Sequence, residues 1–184
     1  MRGLSDLRIV TTSALADMGG ALLEVRGELV LKGARRLSDY ANHPDPLLDL
    51  EEAAIRVHRT TGPDEWEEVQ GLAVSRDHVA VLVPQAGEND PGPDQRLVTS
   101  HRDVRVKLLC PSVEVTGFLK VPLQSTVRSY IQTTRGRFLA VTQARIMAGP
   151  AGMRPGDLEG TCEFCLVNRG QLIACTETRP HTRG

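Results

Sequence analysis

The chain has 184 residues, of which 24% are charged and 40% hydrophobic, and its formal net charge is −1 at pH 7. This balance is typical of a folded globular protein and excludes a disordered chain. The N-terminal segment has no continuous apolar core, and no window approaches the roughly 18 apolar residues of a membrane span. We therefore predict a cytoplasmic protein without a membrane segment.

The residue pattern of the first half predicts short strands around one helix. An apolar run at 7–10 predicts an edge strand followed by a loop. Alternation over 24–31 predicts a strand, and the i, i+3, i+4 spacing of Leu37, Tyr40 and Ala41 predicts a short helix. Residues 47–58 then predict a strand with mixed faces that suggest a bulge. The last two strands, 69–74 and 78–83, are predicted to form a hairpin through Ser75, Arg76 and Asp77.

A second copy of this pattern begins about ninety residues later. The segment 115–146 aligns with 25–55, and VNRGQLIAC from Val167 aligns with VSRDHVAVL from Val74. The aligned pairs include Val25/Val115, Gly27/Gly117, Leu29/Leu119, Tyr40/Tyr130, Leu47/Phe138, Leu48/Leu139 and Ile55/Ile146. Ser125 is predicted as the N-cap of the second helix. Matching blocks in the same order indicate an internal duplication.

The predicted fold class is mainly β with short helices (α+β). We expect two tandem small β-barrel-like repeats, each with one short helix, since closed or half-closed barrels leave no long exposed edge. The first repeat is assigned to 1–83 and the second to 104–178. The segment 84–103, which contains PQAGENDPGPD, is assigned as a linker, and 179–184 as a flexible tail.

Charge is divided unevenly between the halves. Up to Val83 there are 9 Lys and Arg against 14 Asp and Glu, and from Pro84 onward 13 against 9. No acidic residue occurs between Glu114 and Asp157. A solvated face that drifted in composition would explain this, and so would a basic surface that meets an acidic partner. The candidate partner-binding residues are Lys120, Arg128, Arg135, Arg137, Arg145, Asn168 and Arg169.

The block VNRGQLIA, with Gly117 and Leu119 earlier, is similar to the two halves of the Sm/LSm signature. That resemblance implies a small barrel that assembles as rings and binds RNA, with Asn168, Arg169 and Gly170 at the nucleotide. The sequence departs from the signature because a helix separates the strands and the acidic and Asn positions of the first motif are missing. Separately, RLSDYAN followed by LLDLEEAAI resembles a small uncharacterised bacterial domain, which implies a fold but no chemistry.

No pattern in the chain predicts catalysis. Cys162 and Cys165 form a C-x-x-C, and Cys110 and Cys175 could complete a zinc site. A C-x-x-C within a strand, however, places its side chains on opposite faces, so we favour four reduced, buried thiols. The five histidines show no ligand spacing and are predicted to lie on the surface, while Tyr40 and Tyr130 are predicted to lie in the core. Nucleotide-binding and nucleophile motifs are missing.

We therefore predict a non-enzymatic scaffold or adaptor that binds a protein partner or self-assembles as a homo-oligomer. No cofactor or metal is predicted. The alternative is an Sm-like protein that binds nucleic acid through the basic second repeat, although scarce aromatic residues argue against base stacking.

Overall fold

The computed structural model describes residues 9–17, 21–31, 34, 36–58, 65–85, 100–148 and 160–178. The first half contains β1 (Ile9–Asp17), β2 (Leu22–Val30), α1 (Leu37–Ala41), β3 (Leu47–His58), β4 (Glu67–Ser75) and β5 (Val79–Pro84). The second half contains β6 (His101–Leu109), β7 (Val113–Pro122), α2 (Val127–Thr133), β8 (Phe138–Ala148), β9 (Gly160–Asn168) and β10 (Ala174–Glu177). A 3-10 turn at Arg169–Gln171 precedes β10.

All strands of the described chain lie in one antiparallel sheet, in the order β10-β6-β7-β8-β9-β5-β1-β2-β3-β4. Each half contributes five neighbouring strands, and their order within the half is the same. The halves join where Val81 and Leu82 of β5 pair with Val167 and Leu166 of β9. The fold is therefore mainly β, as predicted, but its described strands form one continuous sheet that is open at β4 and β10.

The predicted hairpins are wrong, because β4 and β5 do not pair with each other. They are the outer strands of the first half, and only the residues from Arg76 to His78 connect them. Strands lie about 4.8 Å apart, so a flat sheet would separate these two by about 19 Å. Three linking residues reach at most about 14 Å. The five-strand segment of the first half must therefore curl. In the second half, β9 and β10 are likewise the outer strands, so the hairpin predicted there is wrong as well.

A β-bulge occurs at the same aligned position in both halves. In the β2–β3 pair the register shifts at Gly27, which faces both Glu52 and Ala53. In the β7–β8 pair Gly117 faces Gln143 and Ala144 in the same way. Glu52 and Gln143 are the non-glycine residues with positive φ in the described chain, at 45° and 48°. One residue facing two bends a strand, so both bulges increase the curl of the sheet.

The hydrophobic core consists of two clusters, each built from both halves. The second-half cluster includes Leu15 and Val81 from the first half. The first-half cluster includes Phe138 and Leu166 from the second half, packed with residues of α1, β2, β3 and β5. Tyr40 is buried in this cluster, which confirms its predicted core position, whereas Tyr130 is only partly buried and packs against the other cluster.

Two local predictions need correction. The N-terminal strand is not an edge strand, because β1 runs over Ile9–Asp17 and lies between β5 and β2. The N-cap of α2 is Thr126 rather than Ser125: the Thr126 side chain accepts a hydrogen bond from Ser129 N at 3.1 Å. Strand β6 begins at His101, three residues before residue 104, where the second repeat is predicted to begin. Most of the predicted linker, residues 86–99, and the predicted tail, 179–184, lie outside the described residues.

Candidate functional site

Four of the seven predicted partner-binding residues line one groove where the halves meet. This junction groove lies between the C-terminus of α2, the start of β8 and the turn after β9, and it is lined by Asp77, Arg135, Arg137, Asn168, Arg169 and Gln171, among others. The remaining three predicted residues lie elsewhere. Lys120 is exposed on β7 opposite Asp103, Arg145 is exposed on β8, and Arg128 is exposed on α2.

Asn168 and Arg169 in the junction groove make internal hydrogen bonds. Asn168 is only 1% exposed, and its Nδ2 donates to the carbonyls of Arg76 and Val79, both at 2.8 Å. Its Oδ1 accepts from Gly170 N at 2.9 Å. Arg169 Nη1 donates to Ile131 O at 3.1 Å at the end of α2. Asn168 therefore ties the second half to the first, and Arg169 stabilises the end of a helix.

Arg76, aligned with Arg169, has the same kind of role in the first half. It is 1% exposed, and its guanidinium donates to Tyr40 O, Ala41 O and Leu47 O. Burial lowers the pKa of Arg76 from its usual value, although Tyr40 and Asp45 act in the opposite sense. Its backbone N–H donates to Pro46 O at 2.9 Å, as that of Arg169 donates to Arg137 O at 2.8 Å. The two arginines thus perform equivalent helix-end capping.

Arg135 and Arg137 are the basic groups of the junction groove that make fewer internal contacts. Arg137 forms an ion pair with Asp77 across the halves, with Nη1 3.0 Å from Oδ1. Gln171 Nε2 also donates to the backbone carbonyl of Asp77. The Arg135 side chain is exposed. The groove is therefore a basic surface with one acidic neighbour, and charge on Arg137 is already partly neutralised.

The two edges of the sheet are the second candidate surface. On the outer sides of β4 and β10 no strand of the described chain is paired. β4 exposes most of its residues, including Glu67, Glu68 and Gln70, and all four residues of β10 are exposed. Unpaired edges present backbone N–H and C=O groups that can accept another strand.

A buried ionic cluster near the start of β2 was missed by the sequence analysis. The Glu24 carboxylate is 0% exposed and lies 2.6 Å from Arg56 Nη2 and 2.9 Å from His58 Nε2. The guanidinium groups of Arg26 and Arg56 each lie 4.4 Å from the centre of the Trp66 ring. His58 is therefore buried, which corrects its predicted surface position. The available signal was charge complementarity, since β2–β3 pairing places Glu24 opposite Arg56.

The four cysteines differ more in their surroundings than predicted. Cys110 and Cys165 are buried and Cys162 is partly buried, whereas Cys175 is exposed on the edge strand β10. Burial raises the pKa of Cys110 to about 12. A hydrogen bond with Cys162, together with burial, raises the pKa of Cys165, while the same bond lowers the pKa of Cys162. Cys162 packs against the core cluster that contains Cys165, so the prediction that the two side chains lie on opposite faces is wrong.

Comparisons with protein-family models, curated proteins and solved structures each found no match. Within the described residues, no helix is long and apolar enough to cross a membrane. Over the same part of the chain, no group of three or more His, Cys, Asp or Glu side chains could hold a metal ion. The class of protein is accordingly defined by its fold, in which the described strands form a ten-stranded antiparallel β-sheet made of two five-stranded halves joined edge to edge.

Proposed function

We propose that the protein is a non-enzymatic scaffold or adaptor that receives another polypeptide on the edges of its sheet. The polypeptide is a protein partner or a further copy of the chain. The observation that carries this proposal is the junction itself, where the edge of β5 pairs with the edge of β9. The protein therefore already uses strand addition to hold its own halves together, and β4 and β10 offer the same type of edge.

The proposal includes a duplication of a barrel-like module. It is supported by the common strand order, the bulges at Gly27 and Gly117, and the equivalent capping by Arg76 and Arg169. The short connection between β4 and β5 supports a curled, barrel-like segment. Two copies of one module give a chain two partner surfaces, which is the arrangement an adaptor needs.

The test is photo-crosslinking through benzoylphenylalanine placed at Gln70 on β4 or at Thr176 on β10, in the native cells. We expect adducts with a second polypeptide at these two edge positions, because both side chains are exposed on strands without an outer neighbour in the described chain. The control position is Ala140, which is exposed on the interior strand β8. Equal adducts at Ala140, or none at the edges, would overturn the proposal. The mass of the adduct identifies the bound polypeptide.

The second candidate function is nucleic-acid binding at the junction groove, which the clustering of Arg135, Arg137 and Arg169 favours. Phosphate contacts by Lys and Arg provide most of non-specific affinity. Against a direct Sm-like role, the Asn168 amide is already bonded to the backbone of Arg76 and Val79.

Charge reversal in the junction groove separates the two functions. For a nucleic-acid binder, Arg135→Glu together with Arg137→Glu should reduce retention of RNA or DNA at least about tenfold, since two phosphate contacts are lost. For a scaffold, retention stays unchanged. The measurement is the ultraviolet absorbance ratio at 260 and 280 nm of the purified protein, followed by binding to labelled RNA at low and high salt. Arg128→Glu with Arg145→Glu is the matched control, because it makes the same charge change outside the groove.

A further inference from the structure

An apolar groove lies beside the β10 edge. It lies between α2 and β10, has a volume of about 400 Å³, and is lined by Val127, Ile131, Leu172, Ile173 and Cys175, among others. Ile173 is 69% exposed, one of three large hydrophobic side chains exposed in the described chain. We call this surface the end groove.

The corresponding place in the first half, between α1 and β5, is covered by the second half. Phe138 is 4% exposed there and packs in the cluster that contains Tyr40, Ala41 and Leu82. Asn42 fixes the Phe138 backbone, since its Oδ1 accepts from Phe138 N at 2.8 Å. Beside this contact β9 pairs with β5, and Leu166 is fully buried. The junction thus combines strand pairing with one large side chain that fills a groove.

The residue aligned with Phe138 is Leu47, and it has no such cover. Leu47 is 40% exposed at the start of β3, beside the β4 edge. The residue aligned with Ile173 is Ala80, which is 0% exposed at the junction. At the junction between the halves, two surfaces cover each other. The equivalent surfaces, at the β4 edge and at the β10 edge, are both exposed. An exposed side chain at one end matches an open apolar groove at the other.

We propose that the β4 edge and Leu47 of one chain dock on the β10 edge and end groove of a second copy, repeating the junction between the halves. This inference rests on the proposed function and names its partner. The internal pairs Val81–Val167 and Leu82–Leu166 set the register. By alignment, Ala174 pairs with Val74 of the next copy, and Cys175 pairs with its Ala73. The contact is head to tail, because its two surfaces are different.

The register is tested by disulfide trapping in the variant Ala73→Cys. Directly opposed residues on antiparallel strands have Cβ atoms about 5 Å apart, within reach of a disulfide after small adjustment. Diamide accepts the two electrons and two protons released by the thiol of Cys175 and the thiol introduced at position 73. Although Cys175 is exposed, partial desolvation and the nearby Glu177 raise the pKa of its thiol, so the reaction is run at mildly alkaline pH. We expect a ladder of linked chains on a non-reducing gel, at multiples of 20.1 kDa.

Two controls define the result. Gln70→Cys introduces a thiol on the same exposed strand but three residues away, and should give at least about fivefold less ladder, since a disulfide forms only over a short Cβ–Cβ distance. Adding Cys175→Ser to Ala73→Cys should abolish the ladder. An equal ladder from Gln70→Cys, or none from Ala73→Cys, overturns the proposed contact.

Light scattering tests the same contact without oxidation. Leu47→Asp should shift the mass of the assembled protein toward that of one chain, whereas Leu123→Asp, which changes an exposed leucine outside both surfaces, should not. An unchanged mass for Leu47→Asp contradicts the docking of Leu47. Edge adducts that contain only a different protein would overturn self-pairing and leave the scaffold function standing.

Discussion

Replacing Glu24 with alanine should lower the free energy of unfolding by about 3 kcal/mol, because it removes one member of a buried ion pair. The Glu24 carboxylate is fully buried and the Arg56 side chain is only 12% exposed. Without Glu24, the positive charge of Arg56 stays in a poorly hydrated place and loses the carboxylate that lies 2.6 Å from its Nη2. The measurement is urea unfolding at neutral pH, followed by circular dichroism.

The matched control is Glu114→Ala, because Glu114 occupies the aligned position in the second half. Glu114 pairs with Lys107 at 2.7 Å, but the Lys107 side chain is 38% exposed. A partly exposed pair of this kind contributes up to about 1 kcal/mol. Equal losses in the two variants would show that the buried cluster around Glu24 adds no special stability.

Gly117→Ala should lower the free energy of unfolding by about 3 kcal/mol, which is at the upper end of the range for overpacking a core. A Cβ atom at Gly117 would lie 2.6 Å from Val141 Cγ1, 2.8 Å from Thr142 O and 3.1 Å from Ala144 Cα. Two of these atoms belong to the backbone of the bulge in β8, so they cannot move without disturbing the β7–β8 pairing. Urea unfolding of the purified variant measures the effect.

Two other glycines provide a graded comparison. Gly27→Ala should cost less, about 1 to 2 kcal/mol, because its nearest neighbours lie at 3.1 Å. Gly71→Ala on the edge strand β4 should change stability by less than about 0.5 kcal/mol, since its nearest neighbour is 3.9 Å away. If all three variants lose the same stability, strand propensity rather than crowding at the bulge determines the cost.

The local elements could be predicted from the sequence, because each depends on nearby residues. Alternation of side chains identified β2, and i, i+3, i+4 spacing identified α1. The pairing of strands could not be predicted in the same way. Side-chain periodicity indicates which face of a strand is buried but not which strand lies beside it. For that reason β4 and β5 were wrongly assigned to a hairpin, although both strands exist.

The alignment of the two halves predicts the burial of a residue correctly only where the aligned residues lie beside equivalent strands. Cys175 aligns with Leu82, and a buried thiol was expected for that reason. Leu82 is buried because β9 covers β5, whereas β10 has no outer neighbour among the described strands. The same difference separates Phe138 from Leu47. A difference in exposure between aligned residues therefore marks the surfaces that an internal contact covers in one half and leaves open in the other.

The structural role of Asn168 and Arg169 could not be predicted from the types of these residues either. Basic and amide side chains next to a turn suggest a ligand site, but here they bond to backbone carbonyls of α2 and of the first half. The available signal was that Arg76 in the first half aligns with Arg169 in the second. The same residue at an equivalent turn in both halves, while the surrounding charges differ, is typical of a structural requirement.

The two edges of the sheet are of unequal kind, since β4 has nine residues and β10 has four. An assembly in which chains join through these two different edges is polar. One end of the assembly exposes a β4 edge and the other end exposes a β10 edge. Growth at one extremity can then be stopped by a molecule that offers only a β4-like strand, while the other extremity continues to extend. Because each chain contributes two five-stranded halves, a closed ring of chains joined in the proposed way would contain an even number of such halves.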